Sequence, residues 1–135
     1  MSGSKINTAV CGMVIIVFTL TGCSSLGLFK TPEERVEQRA QARLDALLDR
    51  DIEKAFAFLA PALRKTTTWQ RYSSKYAGVG QWRAVGVNSV KCDVDRCDVS
   101  VSVTYQMRRS RVDNTRSRQE VWIEVNGQWY FYPTH

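Results

Sequence analysis

The run from Cys97 to Met107 alternates without a break. Cys97, Val99, Val101, Val103, Tyr105 and Met107 take one parity, and Asp98, Ser100, Ser102, Thr104 and Gln106 take the other. A strict period of two is the pattern of a β-strand with one buried and one wet face. The stretch therefore commits the second half of the chain to a sheet. It also demands an apolar layer to cover one side of that sheet.

Further strands surround it. Gln81 to Cys92 carries Val85, Val87 and Val90. Glu120 to Val125 forms the next strand, and Trp129 to Tyr132 forms the last, before Pro133. Asn126-Gly127 between those two is a two-residue hairpin signal, because both residues accept positive φ. Arg108 to Arg118 is polar and holds a turn signal at Asp113-Asn114. The acidic residues are expected on helix surfaces, turns or wet strand faces, Glu120 and Glu124 among them. Trp122 is expected on an exposed sheet face.

The covering layer comes from the first half. Thr31 can cap a helix, Pro32 suits its first position, and Glu34 closes a capping box. Val36, Ala40, Leu44, Leu47 and Leu48 then recur at helical spacing, with Glu33, Arg35, Glu37, Arg39, Gln41 and Arg43 over much of the remaining surface. Asp49 or Asp51 re-caps the chain. Ile52, Ala55, Phe56 and Leu59 predict a second short helix, stopped near Pro61. One of Thr66, Thr67 and Thr68 caps a third, Trp69 to Tyr76, and Gly78 and Gly80 end the helical half. The fold class is α+β: three N-terminal helices packed on a four-stranded antiparallel meander.

The N-terminus carries an address rather than a fold. Lys5 precedes an apolar run from Ala9 to Leu20, which is shorter than a spanning helix needs and matches a cleaved secretory signal. It closes on Leu20-Thr21-Gly22-Cys23, which resembles the lipoprotein box of bacteria. That resemblance implies cleavage before Cys23, a diacylglyceryl group on its sulfur and an acylated amine. Ser24 after the cysteine, where an Asp would imply retention at the inner membrane, implies the outer membrane facing the periplasm. The domain plan is thus a signal peptide over 1–22, a lipidated Cys23 with a short tether to Lys30, and one α+β domain over 31–135.

Composition then narrows the partners. The chain has 19 basic and 13 acidic side chains, a formal charge of +6, which drops by one when Lys5 leaves with the signal. Such a balance favours anionic lipid, nucleic acid or an acidic partner, and periplasmic placement argues against nucleic acid. Of the four cysteines, Cys11 leaves with the signal and Cys23 takes the lipid. Cys92 and Cys97 remain, flanking Asp93-Val94-Asp95-Arg96. At the tip of a hairpin, in an oxidising compartment, they can bridge. A metal pair would want further Cys or His nearby, and a redox pair is usually Cys-x-x-Cys at a helix start. A structural disulfide is the expectation.

Catalytic chemistry is harder to find. The single histidine, His135, is the last residue. There is no phosphate loop, zinc-helix motif or nucleophile elbow, so no catalytic residue, metal or cofactor is assigned. Two features could bind. Trp69, Tyr72 and Tyr76 share a helix face, and such a stripe either lines a ligand pocket or, more commonly, packs into a core. Arg108, Arg109, Arg111, Arg116 and Arg118 crowd the two sides of one turn. They form either a basic interaction patch or a charge-blunted hairpin edge.

The helix junction Leu47-Leu48-Asp49-Arg50-Asp51, the run Ala55-Phe56-Ala57-Phe58-Leu59 with Pro61, the Trp69–Tyr72–Tyr76 helix and the closing Asn126-Gly127-Gln128-Trp129-Tyr130 together carry a further resemblance. From Thr31 to Tyr132 the pattern resembles the nuclear transport factor two-like (cystatin-like) superfamily as found in small bacterial lipoproteins. The resemblance implies a curved, cone-like sheet wrapped around a long helix, often with a cavity at the wide end. Some members are ketosteroid isomerases or dehydratases, some bind small molecules, and some mediate assembly, including in secretion systems, so the fold decides little about activity. The expectation is a non-catalytic envelope lipoprotein whose domain binds or assembles. It would have a membrane contact through its lipid, an envelope protein as partner, and a homodimer through the sheet face. The alternative is a periplasmic small-molecule carrier or sensor with an aromatic-lined pocket; an isomerase-like enzyme stands behind both.

Overall fold

Thr31 starts the first helix through a reciprocal cap. The Glu34 amide donates to Thr31 Oγ1 at 3.2 Å, and the Thr31 amide donates to Glu34 Oε2 at 3.0 Å. Pro32 occupies the first turn, where its missing N–H leaves nothing unpaired. The computed structural model describes residues 29–109 and 111–134. The lipoprotein box, Cys23, most of the tether and His135 lie outside the described residues.

Helix α1 runs Pro32–Leu48, followed by α2 (Ile52–Phe56), α3 (Pro61–Thr66) and α4 (Trp69–Lys75). A 3-10 turn, Val79–Gln81, leads into strands β1 (Trp82–Asp93), β2 (Arg96–Gln106), β3 (Asp113–Val125) and β4 (Gln128–Tyr132). The sheet is a meander in the order β1-β2-β3-β4, antiparallel throughout. The α+β expectation holds, with one helix more than the sequence pattern suggested. Pro61 does not only stop the preceding helix; it occupies the first turn of α3. A proline that cannot continue one helix can begin the next, since the first turn needs no intrahelical donor.

The first helix ends in a Schellman arrangement. The Asp51 amide donates to the Ala46 carbonyl at 2.8 Å and the Arg50 amide to the Leu47 carbonyl at 3.1 Å. Arg50 takes φ 65°, the left-handed position that glycine usually fills. Asp51 then caps α2 by accepting from the Lys54 amide at 3.0 Å, and Thr68 caps α4 by accepting from the Arg71 amide at 3.3 Å.

The core lies between α1 and the inner face of the sheet. Val36, Ala40 and Leu44 of α1 meet Leu59, Cys97, Val99, Val101, Trp122, Trp129 and Phe131. Each large apolar side chain buried there stabilises the fold by about 1.5–3 kcal/mol. Two register shifts in β1, at Trp82/Ala84 and Val87/Ser89, interrupt its ladder with β2 and bend the strand. Residues Phe58 to Ala60 close the free edge of β4: the Ala60 amide donates to the Phe131 carbonyl at 2.9 Å, and the Phe131 amide to the Phe58 carbonyl at 2.8 Å. A paired edge cannot recruit a foreign strand.

Three local readings change. Asp113-Asn114 is not a turn but the start of β3, paired with Gln106 and Tyr105. The turn lies earlier, between Gln106 and Asp113, so Arg116 and Arg118 belong to a strand. Trp122 is not on an exposed face: it stands opposite Cys97 in the register and is fully buried under α1. The same register puts Glu120 opposite Val99 and so on the inner face, not the wet one. Glu120 and Trp122 were expected on the wet face, but pairing with the Cys97–Val103 row sets the parity the other way.

Candidate functional site

Arg43 lies on α1 with the parity of Val36, Ala40 and Leu47, so the helix carries it into the core, not across the outer surface. It is 1% exposed. Its Nη1 donates to Glu120 Oε1 at 2.8 Å, its Nη2 donates to the Tyr76 hydroxyl, and its guanidinium lies 3.7 Å from the centre of the Phe131 ring. Trp122 Nε1 donates to the other carboxylate oxygen, Glu120 Oε2, at 3.2 Å. Burial works against the charge on Arg43, but Glu120 and the oxygens of Tyr76 and Tyr72 more than offset it and hold the pKa above its ordinary value. Tyr72, beside this cluster, has its phenol pushed up, mainly by burial.

A cleft of about 140 Å³ opens beside this cluster, walled by Arg43, Tyr76, Trp82, Arg118, Glu120 and Phe131 among others. Ligand pockets ordinarily enclose about 300–1,000 Å³, so this one is under half the usual minimum. Its carboxylate already accepts from a guanidinium and an indole N–H. Glu120 can anchor Arg43 there; as a base it would have to break the buried pair first.

The aromatic stripe of α4 divides. Tyr72 is buried, its ring centre 4.9 Å from those of Phe56 and Tyr76. Trp69 is exposed and meets Phe56 edge-on at 6.1 Å. Only Tyr76 reaches the cleft. Tyr72 packs into the core, and the three aromatics do not line one pocket.

The arginines also divide. Arg116 and Arg118 stand opposite Val103 and Val101 on the inner face of the sheet. Arg118 walls the small cleft, and Arg116 lies 5.9 Å from the Tyr105 ring centre. Arg108 and Arg111, in the turn, line one groove with two arginines that the basic patch did not include: Arg50 at the end of α1 and Arg83 at the start of β1. Those four border a groove of about 490 Å³. Arg109 is exposed and outside that wall. Arg43 had a readable signal in its helical spacing; Arg50 and Arg83 had none, because only the fold brings the α1 end, β1 and the β2–β3 turn together.

Cys92 and Cys97 are partners in the β1–β2 register and are joined by a disulfide, their Cα atoms 4.0 Å apart. The bridge closes the tip of the β1–β2 hairpin and places Cys97 in the core.

No protein-family model matches this sequence, and no curated protein is similar to it in sequence. Solved structures are similar to it in fold. A SEC-C motif containing protein from Psychrobacter arcticus superposes with a TM-score of 0.59 at 12% identity, over 78% of this chain and 63% of that one. Another from Rhodopseudomonas palustris gives 0.55 at 14% identity, over 67% and 70%. A ketosteroid isomerase-like protein from Erwinia carotovora atroseptica gives 0.51 at 17% identity, over 76% and 92%. The helix-on-meander architecture is therefore similar to that of SEC-C motif and ketosteroid isomerase-like proteins. At these identities the likeness concerns the fold alone.

Proposed function

We propose that this chain is a lipid-anchored protein of the bacterial cell envelope, held at the outer membrane through Cys23, whose α+β domain is a non-catalytic binding or assembly module. The Leu20-Thr21-Gly22-Cys23 box supports the anchor. The observation that carries the binding reading is the contrast between the two polar sites. Glu120 and Arg43 satisfy each other in a cleft too small for an ordinary ligand. The arginines around the larger groove are exposed, and the ion pairs Arg35–Glu124, Arg43–Glu120 and Arg96–Asp98 all lie elsewhere. The carrier reading loses support because Tyr72 is spent on packing. The isomerase-like reading loses support because the inner carboxylate is already paired.

The test joins fractionation to cross-linking. Wild type takes up labelled palmitate, sediments with outer membranes and yields discrete cross-linked envelope partners. Cys23→Ser loses the label and appears in the soluble periplasm. Sedimentation of Cys23→Ser with membranes would overturn the anchor; absence of any cross-linked species would overturn the assembly reading.

A further inference from the structure

We propose that the groove between the end of α1, the start of β1 and the β2–β3 turn is a binding site for a small phosphate-bearing anion. Arg50, Arg83, Arg108 and Arg111 wall it, with the backbone of Gly78 and Gly80 as its floor. Among the described residues that wall it there is no Asp or Glu. The polar contacts made by these guanidiniums go to neutral groups: Arg83 Nη2 donates to Gln106 Oε1 at 3.2 Å, and Arg50 Nη2 points at the Gly80 carbonyl at 3.5 Å. Among the described residues none of the four forms an ion pair. The one carboxylate linked to them, Asp113, is reached only through Gln106, whose Nε2 donates to Asp113 Oδ1 at 3.3 Å. Four cations thus border one groove with little counter-charge, an arrangement that an incoming anion would offset. Guanidinium forks match phosphate oxygens two at a time.

Charge-blunting of a hairpin edge accounts for Arg108 and Arg111, but not for the other two. Arg50 and Arg83 come from separate elements. Arg83 is the unpaired residue in the first irregularity of β1, between the Trp82–Tyr105 and Ala84–Thr104 pairs, and bulges commonly re-aim a side chain. Arg50 holds the left-handed position at the helix end that glycine would fill without strain. A Cβ on Gly80 would meet the Arg50 guanidinium at 3.9 Å, whereas one on Gly78 would meet nothing within 4 Å, so the open part of the floor lies at Gly78.

The site deepens the binding-module reading and rests on it. That reading also bears on the source of the phosphate. The tether enters at Thr31, and Arg50 lies beyond the far end of α1, about 25 Å away at 1.5 Å per residue. The groove is thus far along the chain from the anchor, and the ligand proposed is a soluble phosphate-bearing molecule, with binding to a lipid headgroup as the outcome that would overturn it.

Titrating pyrophosphate into the full-length protein in detergent, by calorimetry at low ionic strength, tests the proposal. The expected result is one saturable site that weakens as salt rises. Arg83→Ser should weaken it about tenfold, as loss of a charge-assisted hydrogen bond does. Arg83→Lys should fall between, and Arg109→Ser should match wild type. Equal thermal midpoints for Arg83→Ser and wild type exclude misfolding, and Arg108→Ser supplies a second variant if they differ. Absence of saturable binding, or equal affinity in Arg83→Ser and wild type, overturns the proposal. So does arginine-dependent binding to phosphatidylglycerol vesicles with none to pyrophosphate. Because the titration uses no envelope partner, its failure leaves the cross-linking result standing, and the converse holds too.

Discussion

Replacing Arg43 with Met is the sharpest test of the inner cluster. The substitution keeps the length and apolar stem and removes the guanidinium. Glu120 then loses its 2.8 Å partner while its side chain stays only 11% exposed, and the Tyr76 hydroxyl loses its donor. Breaking a buried ion pair from one side costs about 3–5 kcal/mol. Glu120 keeps the Trp122 N–H and some water, which places this case near about 3 kcal/mol. In a domain of this size that lowers the midpoint by about 12 °C. Glu120→Leu strands a guanidinium that is 1% exposed, and should cost as much or more. The double variant Arg43→Met/Glu120→Leu strands only the Trp122 N–H and the Tyr76 hydroxyl, so it should be less destabilised than the sum of the singles by at least about 2 kcal/mol. Urea unfolding followed by tryptophan fluorescence, under oxidising conditions, gives all three differences. Additive losses would refute the reasoning, because they would mean that the two charges do not depend on each other.

Three other outcomes follow from single features. The Tyr72 phenol is raised above its ordinary value near 10.0, chiefly by burial; the folded state then holds its proton where the unfolded state releases it, so stability is full below about pH 10 and falls above it, and Tyr72→Phe should flatten that alkaline loss in pH-dependent urea midpoints. Arg50→Gly relieves a left-handed arginine and should raise stability by about 0.5–1 kcal/mol while weakening pyrophosphate binding, measured by thermal unfolding beside calorimetry. Cys92→Ala/Cys97→Ala opens a short hairpin loop without burying a hydroxyl and should cost about 2 kcal/mol, with unchanged far-ultraviolet circular dichroism at room temperature.

Local chemistry was the legible part of the sequence. The Thr31 cap, the period-two strand, the Asn126-Gly127 turn with φ 53° and 77°, and the Cys92–Cys97 bridge depend on neighbours in the chain. The parity of β3 was not legible, because two carboxylates, Glu120 and Glu124, mark their shared face with Trp122 as the wet one. Only pairing with β2 decides that Glu120 and Trp122 share the inner face. Arg43 was hidden for a related reason: a charge is ordinarily assigned to the wet face of a helix, although its spacing from Val36 and Ala40 put it on the apolar one. The five arginines of the tip read as one patch by proximity in sequence. Strand geometry separates them, sending Arg116 and Arg118 to the inner face and Arg108 and Arg111 to a groove completed by residues far away in the chain.

The most direct measurement on the binding site is a side-chain nitrogen NMR titration of the full-length, arginine-labelled protein with pyrophosphate. The account predicts that resonances of Arg50, Arg83, Arg108 and Arg111 shift together to one endpoint, while the Arg43 resonance stays fixed in its pair with Glu120. Shifts led by Arg43 and Arg118 would contradict it, by placing the ligand in the inner cleft, and so would the absence of any shift.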